Sequence, residues 1–181
     1  SRVDQMAAAV VRAAVVPGAA TQQLPVAAKL YLSSLEMLLL PEKTRLSEAD
    51  FVAKVGKILG NTQFHRALYA IACELVFNQN GGTSHLMPFA GFLQAVEASP
   101  FEVSKVLANL ITLYSSGSGG IMTAAPLSVV YHLRQCEDQL LESLAWRADS
   151  SIFELLAPSG AASVSSTASV ADSAAEASGS S

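Results

Sequence analysis

The residues with the most reactive side chains are three histidines, His65, His85 and His132, and two cysteines, Cys73 and Cys136. A cysteine beside a histidine can act as a nucleophile, and either can ligate a transition metal. His65 and Cys73 share one helical stretch, but eight residues of helix set them roughly 12 Å apart along the axis, beyond hydrogen-bond reach. The histidines fall into no recognisable metal-ligand pattern, and Cys136 next to Glu137 does not make one, so neither a metal nor a cofactor is expected. Gly-Ser-Gly-Gly at 117–120 follows a helix rather than a strand and lacks the Lys-Ser/Thr ending of a phosphate loop, so it reads as a linker. Ser99-Pro100 is the only Ser-Pro pair and could accept a phosphate, yet Ser at the N-cap, Pro at the first helical position and Glu102 at the third explain the same residues as a helix start. The chain is therefore not expected to be an enzyme.

The elements that carry these residues are helical. Apolar residues recur every three or four positions from 3 to 156, and no alternating strand pattern is convincing, which predicts an all-α fold. A first helix is expected over 3–15, stopped by Pro17-Gly18, and a second over 26–40, closed by Pro41. Ser47 to Asp50 gives a capping signal for a helix through Phe51 and Ile58 that ends at Gly60. Asn61 then caps a stretch, 62–79, whose apolar face is broad enough for the centre of a bundle, and Gly81-Gly82 ends it. A short helix around 88–96, the helix opened by Ser99 and a long one over 127–146, started by Thr123 or Pro126, complete the set, with Asp149 able to cap a last turn through Phe153 and Leu156. In the long helix Leu133, Leu140, Leu141 and Leu144 should pack inward, Gln135, Asp138, Gln139 and Glu142 should be solvated, and Glu137 should border the core. Residues 157–181 are Ala, Ser and Gly with almost no large apolar side chain, and are expected to be disordered.

With 181 residues, one domain is the expectation. Hydrophobic residues make up 51% and charged residues only 14%, with mean hydropathy +0.37, so some apolar surface should need a partner. Charges or breakers cut every apolar run short of the roughly 20 residues of a membrane helix, so no membrane is expected. A net charge of −4 and a pI near 5.3 provide no basic footprint, so direct nucleic-acid binding is not expected. The N-terminal stretch lacks an initiator Met and carries Arg12 inside its apolar run, which reads as a piece of a longer chain rather than a signal peptide. Two cysteines inside apolar helical patterns fit buried free thiols and a reducing compartment, cytosol or nucleus.

FHRALYAIACELVF, beginning at Phe64, followed by HLRQCEDQLLESLAW-RADSSIFELL, beginning at His132, resembles the A half of the retinoblastoma-family pocket. The likeness covers about 3–156, with Arg45-Leu46-Ser47, FEVSKVLANLI at 101–111 and the block from Cys136 to Phe153 as its strongest pieces. It implies a cyclin-like helical bundle around a central helix, here 61–79, in a nuclear transcriptional repressor and cell-cycle regulator without catalytic activity. In that family the A half docks on a B half, and the activation segment of E-two-F/DP type transcription factors lies between them. Corepressors that modify chromatin bind the complete pocket. By position, the resemblance assigns peptide contacts to Arg45, Lys105 and Glu137, with Leu107 and Ile111 adding apolar contact beside Lys105. A two-donor Arg, a Lys point charge and an acceptor Glu suit an acidic, aromatic-containing peptide.

Three departures bear on those roles. Ala108 stands where the family usually has an acid, Tyr131 where a basic residue is common, and Ser151 replaces the proline that often follows Ser150. Each lost exposed charge is worth about 0–1 kcal/mol, enough to lower affinity without abolishing recognition. The B half and its Leu-x-Cys-x-Glu cleft are not in these residues, and 157–181 read as the start of the spacer between halves. The alternative is another cyclin-box protein, a kinase-activating cyclin or a general transcription factor of the TFIIB kind; the acidic balance disfavours the latter.

Overall fold

The computed structural model describes residues 1–14, 17–79, 88–116 and 126–145. The expectations for His85, Gly81-Gly82, 117–120, Trp146, the turn after Asp149, Ser150-Ser151 and the 157–181 spacer lie outside them. Among the described residues there are seven α-helices and no strand: α1 (Arg2–Ala13), α2 (Pro17–Arg45), α3 (Glu48–Gly60), α4 (Thr62–Gln79), α5 (Phe89–Ala95), α6 (Pro100–Ser116) and α7 (Leu127–Ala145).

Local chemistry accounts for most helix starts. Ser47 accepts from the Asp50 amide at 3.3 Å and opens α3. Asn61 Oδ1 accepts from the Phe64 amide at 3.1 Å and opens α4. Ser99 begins α6, its carbonyl accepting from the Val103 amide at 3.0 Å. The Ser99 amide donates not to Glu102, as a capping box would have it, but to Gln63 Oε1 on α4 at 2.8 Å. Glu102 turns instead to Lys105.

The second helix departs from expectation at both ends. It begins at Pro17, a residue favoured at the first helical position, and runs 29 residues through Pro25 and Pro41 to Arg45. An interior proline costs about 3 kcal/mol by removing a donor and crowding the preceding turn. Here Leu24, Ala27, Tyr31 and Ser34 are buried in the packed bundle, which offsets that penalty. The stretch Ala20–Arg45 also has the length and hydropathy of a membrane span, a test that counting uninterrupted apolar runs misses and that core helices of soluble proteins also pass.

At the centre, α4 is buried from Ala67 to Phe77 without interruption, and His65 is buried two residues earlier. A helix apolar on all sides must be enclosed on all sides. Accordingly α1, α2, α3, α5 and α6 all pack on α4, and α7 lies on α6. Edge-to-face packing of Phe77 on Phe92, 5.2 Å between centroids, ties α4 to α5. This is the cyclin-like bundle, with 62–79 as its central helix.

Buried polar groups fix how the helices meet. Only acceptors occur on a carbonyl, so His65 Nε2–H donates to Leu59 O at 3.1 Å, which leaves Nδ1 to accept from the Tyr31 hydroxyl at 2.8 Å. Burial holds the His65 pKa below 6.5, consistent with this neutral tautomer. The same Leu59 carbonyl, at the end of α3, accepts from Arg2 of α1 at 2.9 Å, so one site joins α1, α2, α3 and α4. A second buried pair, Ser34 Oγ and Tyr114 OH at 3.2 Å, joins α2 to α6. Past α5, Glu97 adopts φ 53°, a left-handed conformation usually left to glycine. Arg66 on α4 holds it there, donating to its carbonyl at 3.2 Å and pairing with its carboxylate at 3.0 Å.

Candidate functional site

Arg45 is the last residue of α2, exposed and without a hydrogen bond to any described residue. Its guanidinium adds to the field on Glu42, whose carboxyl sits below its ordinary pKa chiefly because Lys54 bonds it at 2.7 Å. Lys105 lies on the outward stripe of α6 with Phe101 and Ala108, at spacings of four and three. Its ammonium is 3.0 Å from Glu102 and 4.0 Å from the centre of the Phe101 ring, which is 64% exposed. The result is a positive charge held over an open aromatic face. Glu137 is half-buried on the flank of α7, as expected, and its carboxylate bonds to no described residue.

Two assigned contact residues are elsewhere. Leu107 is fully buried and Ile111 is 6% exposed, so both belong to the core and present no surface beside Lys105. Two residues along a helix turn the side chain about 200°, and Leu107 therefore faces opposite to Lys105 despite its closeness in sequence. Similarly on α7, Leu133, Cys136 and Leu140 are buried, Leu144 is partly so, and Leu141 is 51% exposed rather than inward. The inward stripe uses Cys136 and skips Leu141. Leu127 and Tyr131 on the same helix are 88% and 74% exposed, so α6 and α7 present apolar surface of the kind that meets a partner.

No hydrogen bond or ion pair among the described residues joins Arg45, Lys105 and Glu137. They sit on α2, α6 and α7, and α6 packs against both of the others. A separate groove of about 500 Å³ lies between α5, α6 and α7, lined by Phe89, Leu93, Pro100 and Leu140 with Gln139 and Ser143 at its edge. Ser99, partly buried and bonded through its main chain on both sides, occupies the helix-start position that its sequence context describes.

The polar cluster that spacing alone did not bring forward is Glu74, His132 and Cys136. Glu74, the only acid of α4, is 2.9 Å from His132 Nε2, and the Cys136 sulfur is 3.6 Å from the same nitrogen. The three ligand-capable atoms lie within 4.8 Å of one another. The signal was present: His132 and Cys136 are four apart, one turn of one helix, and Glu74 is an acid inside an apolar helix. Burial, then the Glu74 charge, pushes the Cys136 thiol up to about 12, and burial does the same to Cys73. Both cysteines are free and stay protonated at neutral pH, the reverse of what a nucleophile requires.

The family model of the retinoblastoma-associated protein A domain matches residues 3–156. Retinoblastoma-related protein 2 of Oryza sativa subsp. japonica is 30% identical over 130 residues, 72% of this chain and 12% of that protein. Retinoblastoma-related protein 1 of Nicotiana tabacum is 30% identical over 156 residues, 84% of this chain and 15% of that protein. Retinoblastoma-related protein 1 of Zea mays is 29% identical over 130 residues, 72% of this chain and 13% of that protein. The chain thus spans between 12% and 15% of the length of these relatives. A bundle built on an enclosed central helix, with the Cys136-Glu137 block on its outer helix and this match over nearly all the described residues, makes the chain a member of the retinoblastoma-associated protein A domain family.

Proposed function

We propose that this domain is the A half of a two-part pocket in a nuclear transcriptional repressor, and that with its B half it binds the activation segment of E-two-F/DP type transcription factors. The observation that carries the reading is the set of charges available on the surface of α2, α6 and α7. Arg45 and Glu137 have no hydrogen-bond or ion-pair partner among the described residues, and Lys105 is held over the exposed Phe101 ring. An acidic, aromatic peptide can use each: Arg45 grips a carboxylate with two donors, Lys105 and Phe101 receive charge and ring, and Glu137 accepts from a hydroxyl or amide. The exposed Phe101, Leu127 and Tyr131 side chains supply apolar surface for the B half or the peptide to cover. Repression on this reading is occlusion, the groove hiding the segment from coactivators, and corepressors that modify chromatin join through the complete pocket. The protonated thiols support a binding role over a catalytic one.

Titration calorimetry of an acidic activation peptide into the chain, alone and with its B half, tests this. Micromolar or tighter binding is expected only with both halves, and Glu137→Ala should weaken it about 10–100-fold, the worth of a hydrogen bond to a charged group. No binding by two folded, associated halves would overturn the reading.

A further inference from the structure

We propose that Glu74, His132 and Cys136 form a zinc-class metal site between α4 and α7. The donor set is the mixed oxygen, nitrogen and sulfur set that zinc accepts, drawn from facing helices as metal sites in helical bundles are. Zinc bond lengths and a tetrahedral angle imply separations of about 3.4 Å between nitrogen and oxygen donors and about 3.6 Å between nitrogen and sulfur. His132 Nε2 is already 3.6 Å from the Cys136 sulfur and 2.9 Å from Glu74 Oε1, and all three atoms lie within 4.8 Å of one another, so the carboxylate has to withdraw from the nitrogen by about half an ångström. Rotation of a glutamate side chain suffices for that.

Charge favours the exchange. A thiolate, a carboxylate and a divalent ion sum to zero, so the ion enters a mostly buried site without leaving a net charge there. The Cys136 thiol proton must leave for solvent when the ion binds, and His132 must present Nε2 without a proton to ligate it. Affinity should therefore rise with pH while the thiol is protonated in the free protein. The side chains of His132 and Glu74 are 18% and 10% exposed, so the site is reached from solvent. Among the described residues no other group of three His, Cys, Asp or Glu side chains converges in this way.

Cobalt, an optical stand-in for zinc, tests the site in the 181-residue chain under reducing, anaerobic conditions. The expected result is a thiolate-to-cobalt charge-transfer band with tetrahedral ligand-field bands, displaced by zinc. The band should be lost in Cys136→Ser and kept in Cys73→Ser. Replacing His132 with Gln should weaken binding by more than the roughly 10–100-fold that loss of a supporting partner costs. Two measurements on the unsubstituted chain do not depend on a variant folding: zinc should raise its unfolding temperature, reversed by chelator, and should release protons as it binds. Absence of the band in the folded chain, its survival in Cys136→Ser, or zinc binding without proton release would each overturn the proposal.

Discussion

Replacing Tyr31 with Phe removes one oxygen atom and probes the joint on which four helices converge. Tyr31 is 4% exposed and His65 is 2% exposed, so when the hydroxyl is gone no solvent reaches His65 Nδ1 and its lone pair has no donor. A buried acceptor stripped of its partner costs about 1–3 kcal/mol. For a chain of this size that lowers the melting temperature by about 2–4 °C per kcal/mol, or about 4–8 °C for a 2 kcal/mol loss. Far-ultraviolet circular dichroism, followed through heating and through urea, measures both quantities. The same change in a His65→Leu background should cost almost nothing, because both polar groups of the pair are then replaced by apolar ones. The resulting coupling energy should be about 1–2 kcal/mol. A Tyr31→Phe variant as stable as the parent, or one equally destabilised in both backgrounds, would refute the assignment of Nδ1 as the acceptor.

Two further outcomes are expected. Because burial lowers the His65 pKa from 6.5, the folded state binds fewer protons than the unfolded chain just below that value; stability from this group is complete above about pH 6.5 and is lost as pH falls through it toward the folded pKa. Urea midpoints between pH 7.5 and 5.5 should show this slope in the parent and a shallower one in His65→Gln. At α6, Leu107→Ala should cost about 2–5 kcal/mol in urea unfolding, whereas Lys105→Ala should cost less than about 1 kcal/mol and instead weaken peptide binding by the reconstituted pocket. An unchanged midpoint for Leu107→Ala would mean that this side chain faces outward.

The sequence by itself determined the helices whose ends are written in local chemistry. Ser47, Asn61 and Pro126 each act within one turn, so the starts of α3, α4 and α7 were legible without a tertiary partner, while Ser99-Pro100 marked the start of α6 although Gln63 of α4 holds the Ser99 amide. The central place of α4 was legible too, because a helix with apolar residues around its whole circumference has no face to turn to water. Pro41 misled because its cost is local and the packing that offsets it is not. Leu107 and Ile111 beside Lys105, and Leu141 beside Leu140, show the same limit: neighbours in sequence point in different directions on a helix, and only the packed bundle decides which direction is inside. The family resemblance marked Glu137, but the cluster on α4 and α7 joins Glu74 to His132 across 58 residues of chain. That contact exists only because α4, held by α2 and α6, and α7, laid on α6, come within one hydrogen bond of each other, a distance that no local spacing encodes.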